Sequence, residues 1–282
     1  VWTRAPRIFA AVAVVALSVG CVAIPQMATG APDPTAIVIP TRGPAKPSRT
    51  PRPAGATSTS PAASPTRKSD ATPELTPALT ANPSDPACSD DAFKLEGFRW
   101  EQPIHWYFNV NTLPDRYDRD EVLEILKRGW DNITTARNDC GRPDNVSATS
   151  IYRGFTPALP CENNVGDGIS VVGFGKIPRD MSKDTIAATC PYTFSTTGNP
   201  AEVDIVISDE IGWAMSKEGC FFDELLEPTI THEVGHAFGL DHVSEEDHPS
   251  LTMSTTSNGP CQNEESTLGL GDLLGLEELY GK

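Results

Sequence analysis

Three of the five histidines in this 282-residue chain fall inside one run, THEVGHAFGLDH, residues 231–242. His232 and His236 are four residues apart. On a helix they stand one above the other on a single face and can offer two imidazoles to one metal ion. Glu233 lies about 100° further round, near enough to reach a water activated by that ion without ligating it. Gly239 has no Cβ, can take positive φ, and is the expected stop of the helix. The turn after it brings His242 back as a third ligand. Three nitrogen donors with a fourth position open make the donor set of a catalytic zinc site.

The rest of the chain must position that motif. PIHWYFNV alternates Ile104, Trp106, Phe108 and Val110 against polar neighbours, which predicts a strand with one buried face. His105 falls on its opposite face, outside the cluster. DRDEVLEILKRGWDNITT repeats apolar residues at 122, 126, 130 and 133, an amphipathic helix with Asp118 as its N-cap. VSATSIYRGF, GISVVGFGKI, TIAATCPYTF and AEVDIVIS read as further strands, the last alternating Val203, Ile205 and Ile207. Pro228 opens the histidine-bearing helix, where a missing N–H does no harm. STLGLGDLLGLEELYGK closes the chain as another amphipathic helix. The order strand, helix, strands, helix, helix predicts an α+β domain, a twisted sheet covered by helices.

Composition divides the chain in three. In residues 1–30, Arg4 and Arg7 precede an uncharged apolar run from Ile8 to Ile24, as in an export segment or membrane anchor. Residues 31–87 hold half of the 26 prolines among Ala, Thr and Ser. Their few apolar groups cannot offset the entropy of ordering, so a disordered or polyproline-like linker is expected. Residues 88–282 carry nearly all the aromatics and are long enough for one core. They contain 34 acidic and 14 basic residues, which argues against nucleic acid or an anionic membrane surface as partner. A membrane enters only through the N-terminal segment.

Cys21 lies in that segment. Gly20 before it suits a bacterial lipoprotein box, whereas Ser18 stands where leucine is usual. Lipidation, cleavage near MATGA and a retained anchor stay open. The other six cysteines lie at 88, 140, 161, 190, 220 and 261. In an exported chain an even number predicts three disulfides, with the pairing undetermined. ENNVGDG, residues 162–168, carries a weak calcium signal. The sequons at Asn132 and Asn145 matter only in a host that glycosylates. The expected product is a secreted or envelope-tethered monomer.

His232, Glu233, His236, Gly239 and His242 complete the pattern H-E-x-x-H-x-x-G-x-x-H, and in this the sequence resembles the metzincin zinc proteases, closest to the matrixin branch. Met253, in HPSLTMST, is similar to the family's Met-turn, a methionine beneath the zinc ligands. IAATCPYTF…AEVDIVISDEIGW resembles the family's substrate-binding edge strand and its neighbour, which implies that Ala187 and Ala188 meet an extended peptide. Asp272 falls where the family has an aspartate that supports the Met-turn. The resemblance implies a zincin-like catalytic domain, a twisted mixed sheet with an active-site helix and a C-terminal helix. It implies one catalytic zinc, and Glu233 as general base for a zinc-bound water in the hydrolysis of extracellular proteins.

There are departures from the family. No histidine occurs between residues 150 and 230, so a second, structural zinc is not expected. Val243 follows the third ligand where serine is usual. TTSNGP replaces the Pro-x-Tyr of the specificity wall, so substrate preference does not carry over. Gly271 stands where the family has a carboxylate that pairs with a newly formed amino terminus. CGRPD, residues 140–144, resembles the family's cysteine switch but lies inside the domain, so a disulfide cysteine before a turn is the favoured reading. One rival function is a catalytically silent zinc-bearing adhesion or binding module, against which the intact Glu233 argues; a second is a self-processing or signalling protease with one dedicated target, with which the long linker is compatible.

Overall fold

Ile104, Trp106 and Phe108 are all buried while His105 between them is exposed, so the alternation in PIHWYF becomes a strand with one face in the core. The computed structural model describes residues 82, 84–162, 166–179, 181–182, 184–193, 200–255, 259–262 and 266–282. All lie within the unit Asp70–Lys282. The export segment, Cys21 and nearly all of the linker fall outside the described residues.

In chain order the elements are β1 (Lys94–Leu95), β2 (Ile104–Phe108), α1 (Arg119–Thr134), β3 (Ser150–Phe155), β4 (Ser170–Gly175), β5 (Ala187–Thr193), β6 (Pro200–Ser208), β7 (Trp213–Ala214), β8 (Glu224–Leu225), α2 (Leu226–Ala237), β9 (Leu240–Asp241) and α3 (Leu270–Tyr280). The principal sheet is mixed, in the order β3-β2-β4-β6-β5. Its strands run parallel except β5, which pairs antiparallel with β6 and forms one edge. The domain is thus α+β.

α1 forms where the sequence predicts it. The Asp118 side chain accepts the N–H groups of Asp120 and Glu121, and Val122, Leu126, Trp130 and Ile133 are buried. Trp130 stacks on Trp106 of β2 with ring centroids 5.1 Å apart, so α1 lies on the sheet. α2 packs beside α1. Asn132 Nδ2 donates to Thr231 Oγ1 at 3.0 Å, and Arg128 pairs with Glu227 at 2.9 Å. The buried position of Asn132 leaves no room for a glycan on that sequon. Asn145, by contrast, is exposed.

Two elements differ from their sequence patterns. β6 is buried on both faces from Val203 to Ser208 instead of alternating. The chain before β4 lies against its second face, where Asp204 accepts the N–H of Cys161; the same carboxylate accepts the N–H of Val171 in β4. α3 is also enclosed beyond one stripe, with Gly271, Asp272, Gly275 and Tyr280 all buried. The chain before β1 lies against it, where Gly271 N–H donates to Asp90 O at 2.8 Å.

The six cysteines pair as Cys88–Cys140, Cys161–Cys190 and Cys220–Cys261. Three disulfides are compatible with an extracellular chain. No helix among the described residues is long and apolar enough to cross a membrane.

Candidate metal centre

α2 carries His232 and His236 one turn apart and ends at Ala237. Gly239 turns the chain at φ +93°, a conformation that side chains rarely adopt. The last carbonyls of the helix are not left bare. Ala237 O accepts from Trp100 Nε1 at 2.8 Å, and Phe238 O accepts from the Tyr280 hydroxyl at 2.9 Å. β9 follows and delivers His242. The chain then returns beneath the helix, where Val243 N–H donates to Met253 O at 2.9 Å. Met253 packs against α2 at Gly235, which lies between the two helical histidines in sequence and where a Cβ would collide with the methionine sulfur. Asp272 holds this turn. Its carboxylate accepts the N–H groups of Thr252 at 2.9 Å, Met253 at 3.1 Å and Gly269 at 2.9 Å.

The result is a triangle of imidazoles. The Nε2 atoms of His232, His236 and His242 lie 3.0, 3.1 and 3.1 Å apart. Tetrahedral ligation at zinc–nitrogen distances requires about 3.3 Å between donors, so a single ion fits with little adjustment. Two rings are oriented from behind. His232 Nδ1 faces Thr252 O at 2.6 Å, and His236 Nδ1 faces Leu240 O at 2.9 Å. A carbonyl can only accept, so both Nδ1 atoms carry the proton and both Nε2 lone pairs point inward. Among the described residues this is the one group of three or more His, Cys, Asp or Glu side chains close enough to share an ion. These three histidines could therefore hold a metal ion.

Burial, then repulsion from the neighbouring rings, holds His232 and His242 below the ordinary imidazole range. Burial also disfavours charge on His236, but the carboxylates of Glu96 and Glu233 and the Leu240 carbonyl outweigh it, leaving its pKa raised. Glu233 is outside the triangle. Burial raises its pKa, and His236 and the Thr189 hydroxyl oppose that rise. Thr189 Oγ1 donates to Glu233 Oε2 at 2.6 Å.

The triad opens into a cleft of about 630 Å³ whose walls include Glu96, Ala187, Ala188, Thr189, Pro228 and Ser254. Ala187 and Ala188 sit on the edge strand β5, opposite Ile207 and Val206. His105 is exposed and stands apart from the triad. Cys140 is bonded to Cys88, so it holds no thiol for the metal centre. The calcium signal falls partly on residues 163–165, outside the described residues.

Two cleft residues carry no signal in the sequence. Thr189 is an ordinary strand residue, and only the placement of β5 against α2 brings it to Glu233. Glu96 stands in a segment without periodicity, 140 positions before His236. No protein-family model matches this chain, and comparison with curated proteins finds no significant relative.

Proposed function

We propose that this chain is a zinc-dependent endopeptidase of the metzincin type, nearest the matrixin branch, acting outside the cell. One observation carries the reading: a buried carboxylate, Glu233, stands beside three converging imidazole Nε2 atoms but is not one of the converging groups. A purely structural site tends to close its fourth position with another ligand. Here that side faces the cleft.

A zinc ion held by His232, His236 and His242 would supply Lewis acidity to a peptide carbonyl and to the attacking water. Glu233 takes the proton from that water and passes it to the leaving amine. Burial raises its pKa, which makes the carboxylate a stronger base toward that water. The open edge of β5 at Ala187 and Ala188 offers main-chain groups to which an extended substrate can add as a further strand.

The test is a purified chain assayed for metal content and for hydrolysis of casein. The expected result is one zinc per chain, with activity abolished by chelation and restored by zinc. Glu233→Gln should keep the zinc and lose turnover. Zinc binding without any hydrolysis by the wild type would instead favour the silent binding module, and near-normal turnover in the Gln variant would remove Glu233 from the mechanism.

A further inference from the structure

We propose that Glu96 is a positioning residue for the metal centre, delivered by a strap of chain that runs from Cys88 to Glu96 and ends beside His236. The proposal rests on the reading that the three histidines hold a metal ion.

The strap is fixed along its length. Cys88 is bonded to Cys140. Both carboxylate oxygens of Asp90 lie 2.9 Å from His248 Nδ1, on the loop between the third histidine and Met253. The Asp90 carbonyl accepts Gly271 N–H at 2.8 Å at the start of α3. β1 then pairs antiparallel with β9, Lys94 opposite Asp241 and Leu95 opposite Leu240. Finally Glu96 N–H donates to Gly239 O at 2.8 Å. The backbone of Glu96 is therefore tied to the very turn that separates the second ligand from the third.

From that anchor the side chain reaches His236. Glu96 Oε1 lies 3.5 Å from His236 Nδ1, the nitrogen that also faces Leu240 O at 2.9 Å. The carboxylate sits behind the ligand, on the side away from Nε2. A negative charge there favours the Nδ1–H tautomer, makes Nε2 a stronger donor and limits rotation of the ring. At the equivalent atom His232 faces the Thr252 carbonyl. His236 thus has both a carbonyl and a carboxylate behind it, and its own helix supplies neither. Glu96 is also partly exposed to the cleft. A carboxylate there could alternatively read a cationic substrate side chain, and the experiment separates the two roles.

Wild type, Glu96→Gln and Glu96→Asp would be compared as full chains. Zinc affinity is measured by competition with a chromophoric chelator, the cobalt-substituted absorption spectrum is recorded, and kcat and KM are measured on neutral and basic peptides at saturating zinc. Glu96→Gln should weaken zinc by about 10–100-fold, shift the cobalt bands, and leave the KM for both peptides near the wild-type value. Glu96→Asp should recover part of the affinity, a recovery that a merely structural role does not require. Unchanged zinc affinity in Glu96→Gln together with a raised KM for the basic peptide alone would make Glu96 a substrate-reading residue and overturn the proposal. Unchanged affinity and unchanged KM would leave it without a role at the site. If the wild type itself bound no metal ion, the metal reading would fall and this proposal with it, a result distinct from both.

Discussion

Thr189 Oγ1 donates to Glu233 Oε2 at 2.6 Å and lies 2.9 Å from the carbonyl oxygen of the same residue. The hydroxyl has one proton for two acceptors, and the shorter contact is to the carboxylate. β5 thereby fixes the position of the proposed general base from across the cleft. Thr189→Val removes the donor while keeping the shape. A hydrogen bond to a charged group contributes about 1.5–3 kcal/mol. Without it the carboxylate is free to leave the position from which it reaches the water, so kcat should fall about tenfold or more with little change in KM. Steady-state kinetics on one peptide would check this. A change confined to KM would place Thr189 in substrate binding instead.

Asp272 is the buried anchor of the turn that holds Met253. Its carboxylate satisfies three backbone N–H groups, those of Thr252, Met253 and Gly269. Asp272→Ala removes the acceptor that these three buried N–H groups share, at a combined cost of about 3–5 kcal/mol. Because Thr252 O also faces His232 Nδ1, the same variant should weaken metal binding. Denaturant unfolding with and without added zinc measures both effects. Wild-type stability in the variant would show that other groups hold the turn.

Asp204 should make stability fall with rising pH. Burial pushes its carboxyl from 3.8 up to about 7, against the opposing pull of the Cys161 and Val171 N–H groups. Between those values the folded chain keeps a proton that the unfolded chain has released. The contribution is therefore complete below the unfolded value and is lost as pH rises through about 7. Its full swing is on the order of 4 kcal/mol. Asp204→Asn cannot titrate and should lack this fall. Unfolding curves for both proteins from pH 5 to 8, at fixed zinc, isolate the difference because metal-linked protons are common to the two. Parallel curves would mean that Asp204 is already ionised in the folded chain.

Cys140, in CGRPD, closes a loop with Cys88 at a sequence separation of 52. Alkylation followed by mass spectrometry should find none of the six cysteines from Cys88 onward free. Replacing both Cys88 and Cys140 by alanine should cost about 4 kcal/mol of stability and give no gain in activity. A marked rise in activity would indicate a thiol that had been blocking the metal.

Local chemistry was enough to place much of this molecule from sequence. The four-residue spacing of His232 and His236 fixes a shared helical face, and the missing Cβ of Gly239 permits the turn that follows. The caps and apolar period of α1 are likewise carried by residues close together in the chain, as is the alternation of β2. The remaining features depend on groups that are distant in sequence, and no local pattern records them. The cysteine pairing was open until the fold chose it. β6 lost its expected exposed face because the segment bearing Cys161 covers it, and part of the far side of α3 is covered by the strap around Asp90. Thr189 and Glu96 acquire their places at the centre only when β5 and β1 meet α2 and β9. The sequence alone determined which residues could hold an ion, since ligand type and helical spacing are local properties. What stands behind and beside those ligands was decided by the tertiary structure, because a hydrogen bond acts over about 3 Å whatever the separation of its partners along the chain.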